Sequence, residues 1–279
     1  MSGRVRFGLV ATSPKTASDW GELAHGAEAE GFAAILAPDR LRLSSPLPGL
    51  AAAAAATRSI HVGSFVLVAA WRPALLIARD ASTMQRLTAG RFELGLGAGV
   101  DAADFEMLGV PFQGRVAALK AAIAALPSAR PPLLIGGSGD RVLALAAQHA
   151  DSISIGTGND LGEAAVAERV AYIRAEAGDR FDRLELSLNL VAAIGRDPVP
   201  SAVADRARRI FGVELDDLAR SNSPFVLAGG PEEMADQLRD RQERLGISYL
   251  TAAEEVRPVL ASVIERIGSS HRDDAKSFG

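Results

Sequence analysis

The chain has 279 residues, 48% of them hydrophobic and 23% charged, with 30 basic against 34 acidic side chains. That balance offers no basic footprint for a phosphate backbone, so no nucleic-acid partner is expected; the absence of cysteine excludes disulfides, thiolate metal sites and cysteine nucleophiles. The least polar long stretch, Ser59 to Trp71, contains His61 and is shorter than the roughly 18 apolar residues a membrane span needs, so no membrane association and a cytoplasmic location are expected.

Short apolar runs alternate with longer amphipathic or alanine-rich segments, the pattern of βα units around a parallel sheet. Val5–Val10 predicts the first strand, and a helix follows from about Ser18, read as its N-cap, to Gly31. Phe32–Ala37 is the second strand, and Leu47–Ala56 an alanine-rich helix suited to close packing. Ile60–Ala69 predicts a long third strand, after which Pro73 opens a helix to Thr88. The fourth strand, Phe92–Leu96, runs into Gly95, Gly97 and Gly99. A helix from Arg115 to Leu126 then leads through a very short connection, Leu126 to Pro131, to the fifth strand, Leu133–Ile135. Gly136-Gly137-Ser138-Gly139 and a helix over Asp140–His149 come next. Ser152–Ile155 predicts the sixth strand, Leu161–Ala177 its helix, and Leu184–Ile194 the seventh strand, with leucines at period two. Ser201–Phe211 is helical. The connection from Gly212 to Gly230 holds a short helix at Glu214–Arg220, and a helix from Pro231 exits at Gly246. Ser248–Thr251 is the eighth strand and Val256–Ile267 the closing helix.

Eight strands and about eight helices, near the ~250 residues typical of the architecture, predict a (β/α)8 TIM barrel. One domain is expected over residues 1–267, with a flexible tail over 268–279. An open doubly wound sheet is the alternative with the same alternation.

In such a barrel the residues just after each strand build the active site. Here they are Pro38 to Arg40, Trp71 and Arg72, Gly97 to Asp101, Gly136 to Gly139, Gly156 to Asp160, Arg196, and Glu254 with Glu255. His25, His61, His149 and His271 all lie elsewhere, which disfavours a histidine base and leaves no metal site to expect. Glycine, apolar backbone and a few charges suit a large planar cofactor with a phosphate tail, which would then carry the chemistry. Gly136 to Gly139 can present bare N–H groups to an anion, or can equally be a tight turn with Ser138 or Asp140 as N-cap.

Several motifs in order carry a resemblance. Arg72-Pro73-Ala74-Leu75-Leu76, Ala81-Ser82-Thr83-Met84, the run from Gly90 to Gly99, Glu106 through Phe112, Pro132 through Gly139, Ala150-Asp151 and Ser223 through Gly229 resemble the luciferase-like monooxygenase superfamily, in particular its deazaflavin (coenzyme F420)-dependent branch. The resemblance implies a barrel, commonly a homodimer, that holds coenzyme F420 or FMN at the C-terminal ends of its strands. It implies that Asp39 helps to hold the cofactor and that Phe65 and Val66 form a bulge with a non-prolyl cis peptide behind the ring. Ala98 and Gly99 would lie near ring and tail, and Gly136, Gly137, Ser138 and Gly139 would take the phosphate. Two positions depart from the family pattern: Arg40 stands where a histidine is common, and Val100 where several members have glutamate. The Leu126–Pro131 connection is also much shorter than in relatives, which carry there some tens of residues, often a hairpin over the site; a more open pocket is therefore expected.

Arg40 could bind a cofactor phosphate or a carboxylate substrate, with a surface salt bridge as the plain alternative, because guanidinium cannot serve as a neutral base. Trp71 and Arg72, with Asp101, Asp104 and Asn159, are expected to border a substrate pocket, and no catalytic side chain is singled out. The implied activity is an oxidoreductase passing hydride between a deazaflavin and a small organic substrate. The alternatives are an FMN-dependent monooxygenase fed by a separate reductase, and a flavin-binding paralogue without catalysis.

Overall fold

The apolar runs read as barrel strands supply strands that are mostly buried, as parallel strands covered by helices must be. The computed structural model describes residues 5–195 and 199–276; Arg196 and residues 277–279 of the expected tail lie outside them. In chain order the elements are β1 (Arg6–Val10), α1 (Ala17–Ala29), β2 (Ala34–Ala37), α2 (Pro46–Ala56), β3 (His61–Ser64), β4 (Leu67–Val68), α3 (Ala74–Leu87), β5 (Phe92–Gly97), α4 (Ala102–Met107), α5 (Arg115–Ala125), β6 (Leu133–Gly137) and α6 (Asp140–His149). They continue with β7 (Ser152–Ile155), α7 (Glu163–Ala177), β8 (Glu185–Leu190), β9 (Ala192–Ile194), α8 (Ser201–Phe211), α9 (Leu215–Arg220), β10 (Val226–Ala228), α10 (Pro231–Leu245), β11 (Ile247–Ala253) and α11 (Arg257–Lys276). Nine strands pair in parallel in the order β3-β2-β1-β11-β8-β7-β6-β5-β4, and pairing of β3 with β5 closes the ring. Because β3 and β4 are two pieces of one stave, the result is a closed barrel of eight staves, the expected (β/α)8 architecture.

Local chemistry accounts for the helix positions. Thr16, not Ser18, caps α1: its side chain accepts from the Asp19 N–H while Asp19 accepts from the Thr16 N–H, a reciprocal box that Ser18 cannot complete. Ser18 donates to Glu22 instead. The alanines of α2 permit close approach to α1, where a Cβ on Gly49 would stand 2.3 Å from the Trp20 ring.

Two strands differ from expectation. The third stave breaks after Ser64 and ends in a 3-10 turn at Ala69–Trp71. The seventh run ends its barrel pairing at Leu190; β9 then leaves the barrel and pairs in parallel with β10, which lies in the Gly212–Gly230 connection beyond its expected short helix. This small sheet is fastened by Arg241, which is buried and donates to the carbonyls of Ser223, Pro224 and Val226. Burial pulls the Arg241 pKa down to about 10.

At the N-terminal ends of the strands an ion network lies against the barrel floor. Arg6 donates to Glu93 at 2.7 Å and to Glu185 at 2.8 Å, and its guanidinium lies 3.7 Å from the centre of the Tyr249 ring. Ser152 donates to Glu185, and His61 Nδ1 lies 3.2 Å from Glu93. The Leu126–Pro131 connection also lies at this end. It delivers Pro132, whose carbonyl accepts from Leu94 N–H, and Arg130, paired with Asp151 just ahead of β7. Its shortness therefore opens nothing over the C-terminal ends of the strands, which corrects the expectation of a more open pocket on that ground.

Candidate functional site

One cavity of about 550 Å³, a size usual for small-molecule sites, lies at the C-terminal ends of β2, β4, β5 and β6. Of the residues expected to form the site, Asp39, Arg40, Phe65, Val66, Trp71, Ala98, Gly99, Gly136, Gly137, Ser138 and Gly139 all line it. Arg72 stands behind it. Asp101 and Asp104 also line the cavity, whereas Asn159 and Glu255 are not among its lining residues, and Glu254 instead accepts from the backbone and hydroxyl groups of Thr12 and Ser13. Among the described residues no histidine lines it, and no cluster of His, Asp or Glu could hold a metal ion.

The floor follows from the broken third stave. The Phe65–Val66 peptide is cis, and the Val66 side chain lies against strand residues that must be glycine. A Cβ on Gly97 would stand 2.5 Å from Val66, and one on Gly95 only 1.9 Å from the Ser64 carbonyl oxygen. Ser64 completes the seam by donating to the Gly95 carbonyl.

The charges around the floor arrive already paired. Both Asp39 oxygens take the Arg72 guanidinium, at 2.5 and 3.1 Å, and the Val68 N–H adds a third bond at 3.0 Å. Arg40 lies 3.1 Å from Asp101 and 3.5 Å from Asp104, so the salt-bridge reading of Arg40 is the one the geometry shows, although the partners are on α4 and its cap.

The far wall is the turn from Gly136 to Gly139. Gly139 itself is the N-cap of α6 and no side chain caps the helix, so neither Ser138 nor Asp140 fills that place. Asp140 turns to Arg169 on α7 at 2.6 Å, which offsets the negative charge it would otherwise bring to the turn. A Cβ at Gly139 would meet nothing within 4 Å, leaving an open cradle at a helix N-terminus of the kind that accepts anions.

Two arginines that sequence reasoning passed over complete the wall: Arg141, in the first turn of α6, and Arg115, the first residue of α5. Among the described residues neither has an acidic partner; Arg115 packs its guanidinium 3.8 Å from the Phe112 ring centre. Each sits one or two places after a glycine at a helix start, a signal that could have found them.

Residues 2–127 match the sequence profile of luciferase-like monooxygenases, a stretch that runs from ahead of β1 through α5 and includes the floor and the paired acids. Over that stretch the chain is similar to luciferase-like monooxygenases. The family's proteins are oxidoreductases, and solved structures extend the likeness over the whole barrel. The coenzyme F420-dependent tetrahydromethanopterin reductase of Methanopyrus kandleri superposes with a TM-score of 0.72 at 17% identity, over 94% of this chain and 97% of that one. A long-chain alkane monooxygenase gives 0.74 at 14% identity, over 98% and 92%. A riboflavin lyase solved with a modified FMN and riboflavin gives 0.72 at 16%, again over 98% and 92%. At these identities the luciferase-like fold is what is shared.

Proposed function

We propose that this luciferase-like chain is a coenzyme F420-dependent oxidoreductase that moves hydride between the deazaflavin and a small organic substrate. The observation that carries the reading is the cavity itself: a Val66 floor set among glycines, next to an uncapped helix N-terminus and two arginines without acids. That arrangement suits a flat ring with an anionic tail. The open space at Gly139 is where an anion would be held, by the N–H groups of the turn and by Arg141; charge-assisted bonds of this type contribute about 1.5–3 kcal/mol each. When bound, the deazaflavin supplies the carbon that gives or takes hydride. The chain's part is to hold the ring against Val66 and to place the substrate near Trp71, with Asp39 held in place by Arg72. The cavity's carboxylates are committed to arginines and no histidine faces it, which fits a reaction asking little acid–base work of side chains.

The reading carries with it a cytoplasmic homodimer. Its test is a titration of the purified chain with coenzyme F420, FMN and riboflavin, followed by thermal shift and fluorescence. Stabilisation by F420, weakened at least tenfold in Arg141→Ala, supports it. Binding of neither F420 nor FMN would overturn it. FMN binding with oxygen uptake would replace it by a two-component monooxygenase supplied by a separate reductase, and tight binding with no turnover by a non-catalytic flavin-binding protein.

A further inference from the structure

The residue at the position where the resemblance expects histidine, Arg40, has no free charge to offer a ligand. Its guanidinium faces two carboxylates on one short segment, Asp101 at 3.1 Å and Asp104 at 3.5 Å, and Arg42 approaches Asp101 at 3.7 Å. Asp104 is only 2% exposed, and Arg40 supplies its one ion pair among the described residues. A carboxylate so placed strongly favours keeping its partner, because a buried charge left alone is costly.

The segment those acids belong to, Val100 to Gly114, is held in few other ways. It begins after Gly99 and ends at Gly114, both with positive φ, +86° and +80°, and Gly109 between them is at +65°. One aromatic anchor fixes its middle: Phe105, buried, meets Trp71 edge-on at 5.8 Å and Phe112 at 5.1 Å. The outer side is loose, with Val100 and Met107 more than two-thirds exposed. Val100, Asp101 and Asp104 nevertheless form one wall of the cavity.

We propose that Arg40 is a positioning residue: it acts through Asp104 and Asp101 to latch the Val100–Gly114 segment as the cavity wall and does not touch the bound molecule. The latch is independent of which molecule binds; its effect on ligand residence rests on the cofactor reading above.

The two roles available to Arg40 differ in sign. If Arg40 held an anionic ligand directly, Asp104→Asn would free it and tighten binding. If Arg40 works through the segment, Asp104→Asn and Arg40→Ala both loosen the same wall, and the double variant adds nothing further. In the ligand-free protein, each single variant and the double are expected to speed backbone hydrogen exchange over residues 100–114 by about tenfold, by the same amount in all three. Trp71 emission, isolated in a Trp20→Phe background, is expected to shift red as Phe105 leaves its edge. With FMN or coenzyme F420 as the probe, dissociation should quicken about tenfold in the same three variants, and Arg40→Lys should recover part of the loss. Unchanged exchange and emission in Arg40→Ala would overturn the latch, as would tighter binding in Asp104→Asn. Should neither probe bind the wild type, the cofactor reading fails while exchange and emission still decide the latch. Should Asp104→Asn not fold, Arg40→Met at its half-exposed position carries the same exchange and emission test.

Discussion

At the N-terminal end of the strands, Arg6 is shared between Glu93 and Glu185 beneath the Tyr249 ring, and the charges are drawn in against the barrel floor. At the C-terminal end, the acids are tied to arginines around the cavity, while the glycines of β5 and β6 leave room beside two arginines, Arg115 and Arg141, that have no acidic partner among the described residues. The same residue types serve closure at one end and reception at the other. What decides between the two is whether a cation already has its carboxylate. The difference is testable, because a change at the closed end should register in stability and a change at the open end in binding.

The largest effect should come from Glu93→Ala. Breaking a buried ion pair costs about 3–5 kcal/mol, and the loss here should lie near 3 because Arg6 keeps Glu185. Urea unfolding measures it; a loss below about 1 kcal/mol would mean that the floor network does not hold the barrel shut.

Acid should attack the same end. Glu28 accepts the N–H groups of Ile60 and Ser59 at the entry to β3, and these bonds bring its pKa down from 4.5 to about 2. Burial pushes Glu93 and Asp151 upward, yet His61 and Arg6 around Glu93, and Arg130 with the Leu133 N–H at Asp151, leave both below their ordinary values. A carboxylate whose folded pKa is depressed lends stability above its unfolded pKa and loses it as pH falls through the folded value. The chain should therefore lose stability between pH 4.5 and about 2, and Glu28→Gln should lose less over that window. Equal slopes for variant and wild type in pH-dependent melts would exclude Glu28 as a contributor.

The smallest stability effect belongs to the open end. Gly139→Ala has space for its methyl and a negative φ, so the melt should move by no more than about 0.5 kcal/mol. Affinity for FMN or coenzyme F420 should nonetheless fall, since the methyl enters the cradle. Unchanged affinity would place the anion elsewhere.

Much of this was legible in the chain because a parallel barrel repeats one short signal eight times, and each apolar run is bounded by turn residues. The exceptions are elements too short to show a period: β10 has three residues before Gly229, and α4 has six. Ile60–Ala69 reads as one strand because its β-branched residues persist across the break, and only the resemblance pointed to a bulge at Phe65 and Val66. The cavity's backbone was readable, since glycines after strands mark close approach. Its electrostatics were not, because Arg40 and Asp101 are 61 residues apart and nothing local pairs them.

The brief link between α5 and β6 has a practical side. Ser128 and Ala129 are exposed on it, at the opposite pole from the cavity. A tether or reporter spliced there would hang the molecule upside down, with its binding mouth turned toward solvent.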